Sequence, residues 1–301
     1  MPILRRLVLA GIAIFALSGV AAAQAWREEV PTLRVGILAG ENQAYTLARV
    51  EPFRLYLEAR LGIDVEIVPG YDYPALIAAQ TNAGVHATFL SATAYATARA
   101  ACNCVEPVVI PTTREGDTGF YAIMVAPAGG PVRDLDDLAG RRLAVSTTDS
   151  VAGRLLPLRL FADAGMGQDR FDLVQRDAPA AAVAALAAGE ADAALAWSSM
   201  TGSAATGYRA GVLAQMVAAG TLVMADIAVV WRSPEIPNPP LVVQSALPED
   251  LKTALRNAMV ELRTADPAAL DAIDGAYGGG YRPATASEFA PLVVLFERPA
   301  E

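Results

Sequence analysis

The residues best suited to chemistry lie in one short run, Leu143-Ala-Val-Ser-Thr-Thr-Asp-Ser-Val-Ala-Gly-Arg-Leu-Leu-Pro157, where a predicted strand ends in hydroxyls and a helix begins. Ser150 is a good N-cap, and a helix start carries N–H groups without intrahelical acceptors at the positive end of the dipole. The amides of Val151, Ala152 and Gly153, with the hydroxyls of Ser146, Thr147 and Thr148, therefore suit an anion, and Gly153 allows close approach. The same segment also reads as an ordinary capped helix, with Ser150 bonding only its own backbone. A second hydroxyl-rich helix start, Leu90-Ser-Ala-Thr-Ala-Tyr95, again follows a predicted strand, which makes Ser91, Thr93 and Tyr95 candidates for the facing wall of a cleft. Micromolar binding needs about −8 kcal/mol. Each bond to a charged group contributes roughly 1.5 to 3 kcal/mol, so four or five such donors suffice without a lysine.

Among the aromatics, Tyr73 and Trp197 stand at element ends on the expected cleft side and are candidate ligand contacts. Tyr45, Tyr71, Phe120 and Tyr121 are further cleft material or core and hinge packing. Asp192 opens the strand before Trp197 and has three readings: a cap, a partner for an arginine, or a holder of a cationic ligand group.

Other chemistries lack their residues. The single histidine, His86, excludes a multi-histidine metal site and allows a Ser-His-Asp triad only if it serves there itself. The single lysine, Lys252, sits in the amphipathic helix start Pro248-Glu-Asp-Leu-Lys-Thr-Ala-Leu and reads as a solvated surface residue. Neither a metal nor a cofactor is predicted, and the chain reads as a non-enzyme. A formal charge of −9 argues against nucleic acid as a partner. Cys102 and Cys104, one residue apart, read as a local disulfide or two idle thiols.

These residues need elements to position them. With 54% hydrophobic and 18% charged residues over 301 positions, the chain folds around real cores and has the length of about two domains. Residues 1–25 have the form of a secretory signal peptide, with Arg5 and Arg6, an apolar run and small residues allowing cleavage after Ala23 or Ala25. The expected product is a free, monomeric exported protein. Strands alternate with helices: Leu33 to Leu38, a helix from Pro52 to a stop at Gly62, a strand Asp64 to Val68, a helix Tyr73 to Thr81, a strand Val85 to Leu90 and a helix from Ser91 to Ala100. Such alternation predicts an open α/β sheet, beyond whose strand carboxyl ends ligands bind. The breaker clusters Pro127-Ala-Gly-Gly-Pro131 and Ser233-Pro-Glu-Ile-Pro-Asn-Pro-Pro240 are read as two crossings. They give one lobe of residues 26–126 and 234–301, a second of 127–233, and a helix from Pro248 to about Thr264 that returns to the first. Residues 78–90 and 184–195 weakly echo each other, as two similar lobes would.

Several segments together resemble the periplasmic substrate-binding proteins of phosphonate, phosphite and phosphate ABC transporters. They are Glu51-Pro-Phe with Leu57-Glu and Leu61-Gly, Tyr71-Asp-Tyr-Pro-Ala-Leu-Ile, Asp134-Leu-Asp-Asp-Leu-Ala-Gly, and Val230-Trp-Arg-Ser-Pro-Glu-Ile-Pro-Asn-Pro-Pro240. The resemblance implies a two-lobed Venus flytrap fold of the periplasmic-binding-protein type, each lobe a mixed sheet flanked by helices. It also implies hinge closure on a small oxyanion and delivery to an ABC permease in the inner membrane. The family's Ser-Thr-Ser-Gly run at a helix start matches Ser150-Val151-Ala152-Gly153, where only the first hydroxyl survives and Thr148 or Ser146 would substitute. The family's tyrosine ahead of the hinge strand appears as Phe120 beside Tyr121. An aspartate of the third strand appears as His86, either a neutral hydrogen-bonded strand residue or a titratable cleft donor. These departures leave open a sulfonate, a carboxylate or a neutral polar ligand, and a sensory protein that signals to a membrane receptor.

Overall fold

The computed structural model describes residues 25–297, so the expected leader up to residue 24, with the first of its expected cleavage points, lies outside the described residues. Lobe one begins with a short helix α1 (Ala25–Glu29), whose Trp26 is buried, and strand β1 (Thr32–Leu38). Helix α2 (Gln43–Leu61), strand β2 (Asp64–Gly70), helix α3 (Tyr73–Thr81), strand β3 (Ala87–Phe89), helix α4 (Ala92–Cys102) and strand β4 (Val105–Thr113) follow. The sequence placed the start of α2 at Pro52, a residue that favours a first turn. The helix in fact begins well before that proline, at Gln43, where Asn42 caps it by accepting the Tyr45 N–H, and Pro52 lies inside it.

Lobe two contains β5 (Gly119–Pro127), β6 (Arg142–Val145), helix α5 (Leu156–Asp163), β7 (Asp172–Gln175), helix α6 (Pro179–Ala187), β8 (Ala193–Ser198), helix α7 (Val212–Ala218), β9 (Ile227–Arg232) and β10 (Ile236–Pro237). The chain then re-enters lobe one as β11 (Leu241–Gln244), helices α8 (Glu249–Ala265) and α9 (Pro267–Ile273), β12 (Gly278–Pro283) and helix α10 (Ala290–Glu297). The first sheet has the order β12-β4-β11-β3-β1-β2, and the second β10-β5-β8-β6-β7, with β9 also on β5. In each, a parallel core (β2-β1-β3 and β7-β6-β8) is extended by antiparallel strands.

Two segments link the sheets. The first runs between β4 and β5, ahead of the Pro127 to Pro131 cluster, because β5 pairs with β8 and belongs to the second sheet. That cluster is instead a turn inside lobe two, with Gly130 donating to the Pro127 carbonyl. The breaker residues mark a reversal of the chain but carry no information about which sheet it leaves. The return lies between β10 and β11, at residues 238–240. Each sheet has an apolar layer on both faces. One of these layers spans both lobes, joining Tyr95, Phe289 and Leu292 to Ala152 and Leu156 through helix α10. Among the described residues no helix is long and apolar enough to cross a membrane.

Four side chains that the sequence singles out lie outside the cleft. Cys102 and Cys104 are joined as a disulfide at the end of α4. Lys252 is 2% exposed, contrary to the surface reading: its Nζ donates to Ser245 O at 2.8 Å and pairs with Glu106 at 2.8 Å and Glu249 at 2.6 Å. Burial alone would lower its pKa, but the hydrogen bonds it donates to Glu106 and Glu249, with their charges, outweigh it and the net shift is upward. His86 accepts the Arg34 backbone N–H on Nδ1 at 3.0 Å, so that nitrogen is unprotonated. It lies just ahead of the amino end of β3, away from the strand's cleft end.

Candidate functional site

At the end of β6 the chain turns through Ser146 to Ser150 and winds first as a π-helix over Val151–Leu155, then as α5. The Leu155 N–H reaches back five residues to the Ser150 carbonyl at 2.9 Å. The wide first turn leaves the amides of Val151 and Ala152 ahead of the first helical bond. Gly153 is the exception, because its N–H is taken by the Ser150 Oγ at 3.2 Å. A Cβ on Gly153 would lie 2.7 Å from the Ser146 Cβ and 2.8 Å from the Ser150 Oγ, so only glycine fits between them. Ser146 is 1% exposed beneath this turn, and its Oγ has no hydrogen-bond partner.

Ser150, Val151 and Ala152 line a cavity of about 580 Å³ between the lobes. Its lobe-two wall is completed by Phe120 on β5 and Trp197 on β8, whose rings meet edge to face at 5.5 Å. Tyr277 of lobe one faces it, and Thr113 at the end of β4 with Asp117 and Asn238 of the crossings close one side. Asp117 accepts from the Thr201 Oγ1 at 3.2 Å and pairs with Arg209 at 3.1 Å. An adjoining hollow of about 220 Å³ shares Tyr277 and adds Tyr73, Phe89 and Asp274. Asp274 is buried and holds the loop that presents Tyr277 by accepting its N–H at 3.0 Å and that of Gly278 at 3.2 Å. Burial raises the Asp274 carboxyl against those bonds, and burial with the nearby Asp274 charge raises the Tyr277 hydroxyl.

The residues singled out from sequence divide into two groups. Ser150, Val151, Ala152 and Trp197 come together on the main cavity, with Gly153 shaping the turn behind them. Tyr73 lies on the adjoining hollow; burial raises its hydroxyl, opposed by a hydrogen bond with Ser91. Ser91 is the cap of α4, accepting the Ala94 N–H at 3.0 Å. Thr93 and Thr148 are not among the lining residues, and Ser146 is covered by the turn it was expected to join.

Three candidates are corrected. Tyr95 is fully buried against Phe289, ring centroids 4.8 Å apart, because the inner face of α4 turns toward α10; burial pushes its hydroxyl up to about 12. Tyr121 points to the other face of β5, where Arg232 lies over its ring at 5.4 Å, while its neighbour Phe120 takes the cleft side. Asp192 sits at the amino end of β8, opposite the cleft end, and pairs with Arg142 at 3.1 Å. The hydrogen bonds from Arg142 lower its pKa. Residues the sequence did not assign are Tyr277, Asp117, Asn238, Thr113 and Ser199. The Tyr277 loop carried a usable signal, an aspartate three residues before a tyrosine in a glycine-rich run after a helix.

Two mixed sheets joined by two adjacent crossings, with a helix start opening into the cavity between them, define a two-lobed solute-binding protein. The chain belongs to the periplasmic substrate-binding proteins of phosphonate ABC transporters, whose family model it matches over residues 35–289. Among solved structures it is similar to XAC2383 from Xanthomonas citri bound to a chloride ion, at 18% identity over 88% of this chain and 96% of that one, with a TM-score of 0.56. It is also similar to transferrin 1 from Manduca sexta, at 15% identity over 88% of this chain and 46% of that one, with a TM-score of 0.58. A binding-protein component of an ABC phosphonate transporter from Pseudomonas aeruginosa matches at 18% identity over 88% of this chain and 85% of that one, with a TM-score of 0.48. At these identities the first two likenesses speak for the fold alone.

Proposed function

We propose that this chain captures a small oxyanion of the phosphonate class in the periplasm and hands it to an ABC permease in the inner membrane. The observation that carries the reading is the placement of the Ser150 to Ala152 helix start, with its unspent amides, on the cavity between the lobes. The anion is held there by the Val151 and Ala152 N–H groups. Tyr277 and Tyr73 of lobe one come down over it, shifting an open population toward a closed one. The closed form is the one the permease reads.

A thermal-shift screen against methylphosphonate, phosphite, phosphate, methanesulfonate and acetate tests this. A ligand at a hundredfold its dissociation constant adds about 2.7 kcal/mol of stability. A shift with a phosphorus oxyanion that Ser150→Ala strongly reduces supports the reading; a shift with acetate alone, or one indifferent to Ser150→Ala, overturns it.

A further inference from the structure

We infer that the cleft is built for an organic oxyanion with a single negative charge and a bulky, aryl-sized apolar substituent, rather than for inorganic phosphate or phosphite. The inference rests on the anion-binding reading above and narrows its ligand class.

Space is the first argument. The cavity holds about 580 Å³, whereas a tetrahedral oxyanion displaces only a few water volumes of roughly 30 Å³ each. An inorganic anion seated at the helix start would leave most of the cleft to water.

The walls are the second argument. Beside the helix start, Phe120 and Trp197 form an edge-to-face pair on adjacent strands, and Pro179 and Tyr277 continue the surface. Both aromatic rings of the pair are only partly buried, so they present open apolar surface to the cavity. Rings arranged this way accept a third ring or a branched alkyl group well. Their ring faces offer nothing to the outer oxygens of a small hydrated anion, which on this wall finds donors only at the Trp197 N–H and the Tyr277 hydroxyl.

Charge is the third. Among the described residues no lysine or arginine lines the cavity. Its single carboxylate, Asp117, is already engaged by the Arg209 Nη1 at 3.1 and 3.2 Å and by Thr201, so this pair has no net charge to lend. A helix start supplies roughly half a positive charge. That is enough to favour one negative charge, whereas a second would find no cationic side chain among the lining residues to meet it.

Isothermal titration of the purified protein with phenylphosphonate, methylphosphonate, inorganic phosphate and benzenesulfonate, at two pH values, tests the inference. The phenyl ligands are expected to bind about tenfold to a hundredfold more tightly than methylphosphonate and phosphate, the yield of burying one ring. Between about pH 5.5 and about pH 9 a phosphonate passes from one charge toward two, so phenylphosphonate should weaken. Benzenesulfonate keeps one charge throughout and reports any titration of the groups around the cleft, namely Asp117, Arg209 and Tyr277 with Tyr73, Asp274 and Arg49 of the adjoining hollow. Phenylphosphonate should weaken relative to that control. Phe120→Ala should erase the phenyl preference, bringing phenylphosphonate and benzenesulfonate down by about tenfold or more toward the affinity of methylphosphonate.

Ser150-dependent binding in which methylphosphonate or phosphate matches the phenyl ligands, or in which phenylphosphonate tightens as its second charge appears, overturns this inference and leaves the oxyanion reading standing. Failure of all four ligands overturns both.

Discussion

Asn238 donates from its Nδ2 to the carbonyl oxygen of Pro111 at 2.9 Å, tying the return crossing to the strand by which the chain first leaves lobe one. The Asn238 backbone N–H also reaches the Thr118 carbonyl at 2.9 Å, so this residue of the return crossing is bonded both to β4 and to the first linking segment. It is 4% exposed, and removing the side chain leaves the Pro111 carbonyl without this donor. Asn238→Ala should cost about 1 to 3 kcal/mol of stability, read from denaturant midpoints. Small-angle scattering should show a broader spread of interlobe separations, since the return crossing would lose its side-chain tie to β4.

Gly153→Ala tests the shape of the helix start. The new methyl would lie 2.7 Å from the Ser146 Cβ and 2.8 Å from the Ser150 Oγ, so the turn must open and the cap bond to the Gly153 N–H is disturbed. The expected outcome is loss of oxyanion binding by calorimetry. A loss of stability of about 1 to 3 kcal/mol, from the disturbed cap and the crowding against Ser146, should accompany it. Unchanged affinity would mean that the amides of Val151 and Ala152 do not hold the anion.

His86 gives a pH dependence of fixed sign. Burial, and then the Arg34 charge, lower its pKa from the ordinary value of 6.5, and its Nδ1 serves as an acceptor for the Arg34 N–H. The unfolded chain therefore binds the extra proton first as the pH falls. The stability His86 contributes is complete above 6.5 and is lost on acidification toward the folded value. Melting curves should show the gap between wild type and His86→Gln shrinking from about pH 7.5 to about pH 5. A gap that widens on acidification would contradict the assignment.

Much of this fold was legible because the alternation of elements is dictated locally, by apolar runs, caps such as Ser91 and Ser150, and stops such as Gly62. What sequence patterning missed was decided by tertiary geometry. A one-residue difference of parity on β5 gives Phe120 to the cleft and Tyr121 to the opposite face. Asp192 immediately precedes the strand that carries Trp197, but only the strand's carboxyl end lines the cavity, so the same segment supplies one ion pair and one cavity wall. Tyr277 reaches the cavity from a lobe that local sequence does not connect to Ser150. The crossing was misplaced because the turn at Pro127 to Pro131 looks the same whether the chain changes sheets or reverses within one.

Lys252 shows how a residue with a surface-like sequence context becomes structural. Its stem lies beneath the first turn of α8, and its Nζ meets Ser245 after β11, Glu106 on β4 and Glu249 on its own helix, so a single ammonium joins three separate parts of lobe one. Glu249 is largely exposed and Glu106 partly so, which lets either carboxylate recover water if the lysine is removed. The Ser245 carbonyl and the space around the buried stem have less recourse. Lys252→Met keeps most of the stem and removes the donor, so it should cost about 1 to 3 kcal/mol. Lys252→Ala also opens a cavity and should cost about 2 to 5 kcal/mol. Chemical denaturation of both variants separates the two contributions: equal losses would assign the stabilisation to the ammonium, and an unperturbed methionine variant would assign it to packing of the stem.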